Sequence, residues 1–189
     1  MDGHDARRLA KEVACRMPVL RDHFIARYPY LFSPAQLAYL CSCLNETRDV
    51  AGCVVEAGCY QGQTTLYLNH HMTVERIEKP YWAIDTFSGY RTDDLDDEAA
   101  RGQKREYYRR LFTVNEKRWF DLAMRRDGVT RVRSIVADIG AYDFARLAPI
   151  AFCLIDVIFY RPTQLALPRI WDALSPGGVV VVTVRAYLP

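Results

Sequence analysis

The chain has 189 residues, of which 50% are hydrophobic, and a formal net charge of +2. This suits one compact domain with its own core, since single domains commonly run to roughly 100–200 residues. The near-neutral charge argues against nucleic-acid and membrane partners, and no apolar run approaches the ~20 residues of a membrane helix. The first residues lack a signal-peptide core, so a cytoplasmic location is expected.

The first part of the chain predicts helices. Apolar residues at three-to-four spacing predict a helix within residues 1–30. Segment 33–36 holds the Ser, Pro and Gln of a capped helix start, in which the Ser and the Gln form a capping box. We therefore expect an N-terminal helical cap over residues 1–50 and a ligand-binding domain over residues 51–189.

After residue 50, short apolar strands alternate with helices. The predicted strands are 53–56, 81–85, 132–138, 151–156 and 179–184, and the predicted helices are 63–72, 115–126, 142–147 and 162–174. This alternation implies right-handed βαβ crossovers and a parallel sheet covered on both faces. The predicted fold is a Rossmann-like α/β three-layer sandwich with a mainly parallel sheet.

One segment, 90–102, departs from this regular order. It holds a run of acidic residues with few apolar ones among them. We expect either a mobile surface loop beside the ligand site or a charge run that is simply solvated.

An acidic residue stands at the end of each of the first four predicted strands. These residues are Glu56, Asp85, Asp138 and Asp156. In open parallel sheets, ligands bind in the crevice at the carboxyl ends of the strands. A single Asp in such a place often only caps a turn. Four in succession favour a ligand crevice.

The turn after the first strand indicates the kind of ligand. Gly58 and Gly62 stand in G-x-x-x-G, whereas a dinucleotide site has G-x-G-x-x-G. The spacing argues against a nicotinamide-dependent oxidoreductase, which remains a minor alternative. Gly58 would allow a tight turn, and Gly62 a close approach of the backbone to the ligand. The N–H groups of Gln63 and Thr64 would then face a ligand carboxylate.

The next strands predict contacts to a nucleoside. Asp85 is placed to accept both ribose hydroxyls. Asp138 is placed to take the adenine amino group, and Ile139 and Phe87 could flank the ring. The predicted cofactor-binding residues are Glu56, Gly58, Tyr60, Gly62, Thr64, Asp85, Thr86, Phe87, Asp138 and Ile139.

Four blocks together resemble the macrocin O-methyltransferase (TylF-like) family. They read GCVVEAGCYQG at 52–62, AIDTFSG at 83–89, FCLIDVIFY at 152–160 and LSPGGVVVV at 174–182. The resemblance spans residues 50–182. It implies a class I methyltransferase fold and S-adenosylmethionine as the methyl donor. It also implies a hydroxyl on a small-molecule acceptor, such as a sugar or another secondary metabolite.

The resemblance also implies a magnesium ion held by acids at the ends of strands four and five. Of these acids Asp156 is present, whereas Ile158 stands where the family has a second Asp after strand four, and Thr183 and Val184 stand where it has an Asp pair after strand five. Asp156 alone predicts a poor magnesium site, since this ion takes near-octahedral oxygen ligands. Asp156 is also the candidate to orient or deprotonate the acceptor hydroxyl, with Arg161 or Arg185 as candidate sources of positive charge.

Two expectations concern assembly and activity. Methyltransferases of this class usually continue past strand five, whereas this sequence ends at Pro189. An open sheet edge is expected unless a partner covers it, which predicts a homodimer. The missing acids and the short C-terminus keep an alternative open, namely a catalytically silent homologue that acts as a structural or regulatory partner.

Overall fold

The computed structural model of the chain describes residues 3–17, 20 and 28–183. The chain divides into two units, Met1–Leu31 and Phe32–Pro189. The first unit contains helix α1 (Gly3–Arg16), as the periodicity predicts. On this helix Leu9 and Val13 are about half exposed. No helix in the described part of the chain combines the length and the apolar character that crossing a membrane requires.

The second unit opens with helix α2 (Pro34–Glu46), which has the predicted capping box. Ser33 Oγ accepts a hydrogen bond of 3.3 Å from the Gln36 N–H, and Gln36 Oε1 accepts one of 2.8 Å from the Ser33 N–H. These bonds satisfy backbone donors that the first helical turn would leave unpaired. Helix α2 thus lies in the second unit, and a division of the chain after residue 50 stays a prediction.

Five parallel strands form one sheet in the order β3-β2-β1-β4-β5, which confirms the predicted fold class. The strands are β1 (Cys53–Ala57), β2 (Tyr81–Asp85), β3 (Val132–Val136), β4 (Ile150–Ile155) and β5 (Leu174–Val182). The central strands β1 and β4 are buried throughout, as expected for strands covered on both faces. The strand order reverses between them, and this reversal places the ligand crevice at their carboxyl ends.

Helices connect these strands along the chain. They are α3 (Gln63–Val74), α4 (Thr92–Ala100), α5 (Arg105–Arg109), α6 (Lys117–Arg126) and α7 (Tyr160–Ala173), with a 3-10 turn at Phe144–Leu147. The main hydrophobic core includes Val55, Ile84, Phe144, Ile155 and Ile170, so it joins the sheet to α7 and the 3-10 turn.

Two strands differ from their predicted bounds by two residues or more at one or both ends. Strand β3 ends at Val136, because Asp138 forms a turn in which its Oδ1 accepts a hydrogen bond of 2.9 Å from the Gly140 N–H. Strand β5 begins at Leu174, directly after α7, and includes the stretch 175–178 that the sequence predicts as a break. A register shift against β4 accommodates this stretch.

The acidic segment 90–102 contains helix α4 where a loop was expected, and two of its five acids are buried. Asp94 and Glu98 are 6% and 8% exposed. Asp94 Oδ1 accepts a hydrogen bond of 2.7 Å from Arg161 Nη1, and Glu98 Oε1 accepts one of 2.8 Å from the Tyr160 N–H. Both carboxylates thus lie at the N-terminus of α7, where the helix dipole favours negative charge.

Candidate active site

The turn between β1 and α3 lies where the strand order reverses. Gly58 has a φ of 90°, and a Cβ built on it would lie 2.5 Å from the backbone oxygen of Asp156. Glycine is therefore required here, because no side chain fits between the turn and the end of β4. The Gly58 N–H donates to the Ile84 oxygen, and the Asp156 N–H donates to the Ala57 oxygen, each at 2.8 Å. These bonds tie the turn to both neighbouring strands.

Gly62 is required for packing. It has a φ of 88° and stands at the N-cap of α3. A Cβ there would lie 2.7 Å from Met124 Cε and 3.0 Å from the Phe120 ring. Helix α6 therefore leaves no room for a side chain at position 62, and the close approach of the Gly62 backbone to a ligand stays a prediction. The start of α3 has no side-chain cap, so the N–H groups of Gln63 and Thr64 are placed to bind a carboxylate.

The Asp85 carboxylate accepts four hydrogen bonds from the chain itself. Oδ2 accepts from the N–H groups of Cys59 at 3.0 Å and Tyr60 at 2.9 Å. Oδ1 accepts from the Phe87 N–H at 2.8 Å and from Asn115 Nδ2 at 3.0 Å. A carboxylate offers about four lone-pair sites, so these donors fill them. Asp85 shapes the turn through these bonds, and the ribose contact expected of it stays a prediction.

Tyr60 and Phe87 both adopt left-handed backbone conformations, with φ of 47° and 49°. Such conformations are uncommon outside glycine, and the hydrogen bonds to Asp85 hold both residues in them. The Tyr60 ring contacts Phe112 edge-on at 4.7 Å between centroids, and the Phe87 ring contacts Phe120 at 5.5 Å. Both rings thus pack against the chain that leads into and forms α6.

Asp138 lies in the turn after β3, at the edge of the crevice. Its Oδ2 pairs with Arg91 Nη1 at 3.3 Å, and its side chain is partly exposed. Ile139 belongs to the hydrophobic core cluster around the sheet, and its contact with a ligand ring stays a prediction. Thr86 Oγ1 donates a hydrogen bond of 2.8 Å to the Gly89 oxygen, so it stabilises the loop after β2. The contact of Asp138 with an adenine amino group stays a prediction.

Glu56 is buried beneath the turn, with 1% of its surface exposed. Its Oε2 accepts hydrogen bonds from Thr65 Oγ1 at 2.6 Å and from the Tyr81 hydroxyl at 2.7 Å. Burial raises the pKa of Glu56 to about 7; the two hydroxyl donors oppose this rise, and the charges of Asp156 and Asp85 add to it. Glu56 therefore supports the turn from inside the core, which leaves it no surface for the cofactor contact that the sequence predicts.

Asp156 follows β4 at the centre of the crevice and is half-buried. Its Oδ1 accepts a hydrogen bond of 2.7 Å from Thr183 Oγ1. The Thr183 N–H in turn donates to the Ile155 oxygen at 2.9 Å, which extends the pairing of β5 with β4. This contact orients the Asp156 carboxylate beside the glycine turn, where proton transfer to or from a bound ligand is possible.

The donor set around Asp156 does not fit a magnesium ion. Within residues 3–17, 20 and 28–183, no group of three or more His, Cys, Asp or Glu side chains is arranged to hold a metal. Thr183 donates its hydroxyl hydrogen to Asp156, and the Ile158 side chain offers no ligand atom. One carboxylate falls short of the one or two carboxylates plus further oxygens that magnesium usually takes.

The cation predicted near Asp156 is engaged elsewhere. Arg161 forms an ion pair with Asp94 on α4. The second candidate, Arg185, lies outside the described residues.

Segment 112–115 is the part of the site that the sequence did not reveal. Gln61 Nε2 donates a hydrogen bond of 3.0 Å to the Val114 oxygen, and Asn115 Nδ2 donates to Asp85. Together with the Tyr60 and Phe112 ring contact, these bonds hold the segment against the turn. Nothing in the local sequence signals this contact, since Gln61 and Val114 are 53 residues apart.

The sheet order, the turn at its reversal and the uncapped start of α3 define a class I S-adenosylmethionine-dependent methyltransferase. The residues present fit that cofactor, because the α3 amides suit a carboxylate and Asp138 suits an amino group. The family model of macrocin-O-methyltransferase (TylF) matches residues 34–187. The chain therefore belongs to this family, and it is an S-adenosylmethionine-dependent O-methyltransferase.

Solved structures share the fold. The O-methyltransferase NovP superposes with a TM-score of 0.70 at 19% identity, covering 83% of this chain and 67% of that one. The calicheamicin methyltransferase CalS11 gives 0.62 at 18% identity and coverages of 96% and 78%. A SAM-dependent O-methyltransferase from Thermotoga maritima gives 0.52 at 14% identity and coverages of 82% and 45%. The comparison with curated proteins gave no match.

Proposed function

We propose that this methyltransferase acts on a hydroxyl of a small-molecule acceptor, a sugar or another secondary metabolite, and that Asp156 orients or deprotonates that hydroxyl. Membership of the macrocin-O-methyltransferase family supports the class of acceptor. CalS11, which shares the fold, is a TDP-rhamnose 3'-O-methyltransferase, so a sugar hydroxyl is a reasonable first acceptor to test. The observation that carries the role of Asp156 is its position at the end of β4, beside Gly58.

The proposed chemistry depends chiefly on positioning. When bound, S-adenosylmethionine would supply a methyl group on a sulfonium. The acceptor oxygen would attack this methyl carbon in line while the carbon–sulfur bond breaks and S-adenosylhomocysteine leaves. The chain holds the reactants together, and this removes much of the entropic barrier. The N–H groups of Gln63 and Thr64 are proposed to hold the methionine carboxylate.

Asp156 is proposed to take the acceptor proton as the new carbon–oxygen bond forms. A positioned acid or base of this kind typically contributes a factor of about 10²–10⁴ to the rate. Thr183 orients the carboxylate through its Oδ1. This mechanism routes no step through a metal ion, because the described donors do not fit one.

Calorimetric titration with S-adenosylmethionine and S-adenosylhomocysteine, with and without magnesium, tests the cofactor site. We expect micromolar binding that magnesium does not change. Absence of binding by either compound would contradict the assignment.

Release of S-adenosylhomocysteine with a panel of sugar nucleotides and hydroxylated natural products tests the reaction. We expect Asp156→Asn to lower turnover by about 10²–10⁴ and to keep its affinity for S-adenosylhomocysteine. Full turnover by this variant would exclude the role of Asp156. Cofactor binding with no turnover on any acceptor would support the silent-homologue alternative.

A homodimer and a cytoplasmic location stay predictions. Light scattering on the purified protein during size-exclusion chromatography checks the first, and a molar mass equal to one chain would contradict it. Fractionation of expressing cells checks the second.

A further inference from the structure

The carboxylate at the end of β2 is the group that nucleotide-binding α/β folds offer to ribose hydroxyls. In this chain each oxygen of Asp85 already accepts two hydrogen bonds from N–H donors. A ribose hydroxyl could bind Asp85 only by displacing one of these donors and loosening the turn. Another acceptor at the same place is therefore needed.

Asn115 offers such an acceptor. It is 5% exposed and lies directly against Asp85, to which its Nδ2 donates. Its Oδ1 is buried and has no hydrogen-bond partner within the described part of the chain. The orientation of the amide follows from its neighbour, because a flipped amide would bring its oxygen against Asp85 Oδ1, and neither atom could donate.

A buried carbonyl oxygen without a donor is unfavourable, so its presence at a ligand site points to a donor on the ligand. S-adenosylmethionine carries N–H donors at its two ends and hydroxyl donors on the ribose between them. The amino groups belong near the start of α3 and near Asp138. The hydroxyls are the donors expected at the end of β2, where Asn115 lies.

We propose that Asn115 Oδ1 accepts a hydrogen bond from a ribose hydroxyl of S-adenosylmethionine, and that Asp85 orients the Asn115 amide for this contact. Contacts beside Asn115 support the assignment, because the Gln61–Val114 hydrogen bond and the Tyr60–Phe112 ring contact fix its segment on the turn. This inference rests on the proposed cofactor site.

Asn69 provides a matched control. It is 1% exposed, and its Oδ1 also lacks a partner within the described residues. Its Nδ2 donates to the Thr65 oxygen at 2.8 Å, one turn back on α3, so it is not in contact with Asp85. Asn69→Ala therefore removes a comparable buried amide without touching the proposed ribose contact.

The experiment is calorimetric titration with S-adenosylhomocysteine and with its 2'-deoxy and 3'-deoxy analogues. Wild-type protein is expected to bind one deoxy analogue about 5- to 10-fold more weakly than the parent compound, as loss of one hydrogen bond predicts. Asn115→Ala is expected to bind the parent compound and that analogue within about 2-fold of each other. Asn69→Ala is expected to melt at a lower temperature and to keep the wild-type discrimination.

The quantity that tests the proposal is the ratio of the two affinities, for the parent compound and for its deoxy analogue. A structural change alone would weaken the binding of both compounds alike. Discrimination of wild-type size in Asn115→Ala would show that the ribose is held elsewhere. Equal binding of all three compounds by wild-type protein would overturn the inference without any variant, so the test stands even if Asn115→Ala does not fold. No binding of S-adenosylhomocysteine by wild-type protein would contradict the proposed function instead.

Discussion

Thr183 Oγ1 donates a hydrogen bond of 2.7 Å to Asp156 Oδ1, and this bond joins the carboxyl ends of β5 and β4. Thr183→Val keeps the shape of the side chain and removes the donor. We expect turnover to fall about 3- to 10-fold, because the carboxylate loses its orientation, while the affinity for S-adenosylhomocysteine stays unchanged. Thr183→Ser, which keeps the hydroxyl, should recover most of the turnover. Wild-type turnover by Thr183→Val would show that this bond does not orient Asp156.

Gly58→Ala should destabilise the fold more than the backbone conformation alone explains. The added Cβ would lie 2.5 Å from a backbone oxygen that cannot move without disturbing β4. Gly128→Ala is the control, since Gly128 also has a positive φ, of 71°, and open space around it. We expect about 1 kcal/mol for the control and about 3 kcal/mol for Gly58→Ala, measured by urea unfolding. Equal losses would show that the turn can relax away from β4.

Glu56 should make stability depend on pH. Burial raises its pKa from 4.5 to about 7, so the folded state keeps a proton that the unfolded state releases. The contribution is therefore fully present below about pH 4.5 and is lost as the pH rises to about 7. Its size is about 3 kcal/mol at most.

Glu56→Gln isolates this effect, because glutamine still accepts a hydrogen bond and does not titrate. The difference in unfolding free energy between the two proteins should shift in favour of the variant between pH 4.5 and 7. A difference that does not change over this range would show that Glu56 ionises with an ordinary pKa.

Asp94 should hold α4 against the N-terminus of α7. Its buried carboxylate accepts from Arg161, so Asp94→Ala removes a charge-assisted hydrogen bond, and we expect a loss of about 1–3 kcal/mol together with faster hydrogen exchange in α4. Asp96→Ala is the control, because the exposed Asp96 side chain pairs with Arg105 at the surface, where such pairs contribute about 0–1 kcal/mol. Unchanged exchange in α4 after Asp94→Ala would contradict the assignment.

Much of the fold is predictable because its signals are local. The spacing of apolar residues and the glycine positions correctly predicted the five strands and helices α3, α6 and α7, and Ser33 and Gln36 predicted the start of α2. The family resemblance was also confirmed. Helix α4 escaped prediction because its acidic residues look solvated in the sequence, whereas two of them are buried and have partners more than 60 residues away.

In the site, too, the local sequence predicts where a residue lies along a strand or turn but not what its side chain contacts. Asp85 was correctly placed at the end of β2, but its partners come from three separate segments that only the folded chain brings together. Ile139 stands next to Asp138 in sequence, yet one side chain enters the core and the other lies at the crevice edge. Neighbouring side chains in a turn point in different directions, and residue spacing does not predict which of them faces the core.

By itself, the sequence determined the alternation of strands and helices, the capped start of α2 and the glycine turn after β1, because backbone conformation and hydrophobic period depend on neighbouring residues. The tertiary structure alone decided which polar groups meet. It brought the donors of the turn and Asn115 to the Asp85 carboxylate, and Thr183 to Asp156. It also left the buried Asn115 Oδ1 without a hydrogen-bond partner among the described residues. Such contacts follow from the packing of segments that are distant in the chain, and a hydrogen bond requires placement to within a few tenths of an ångström.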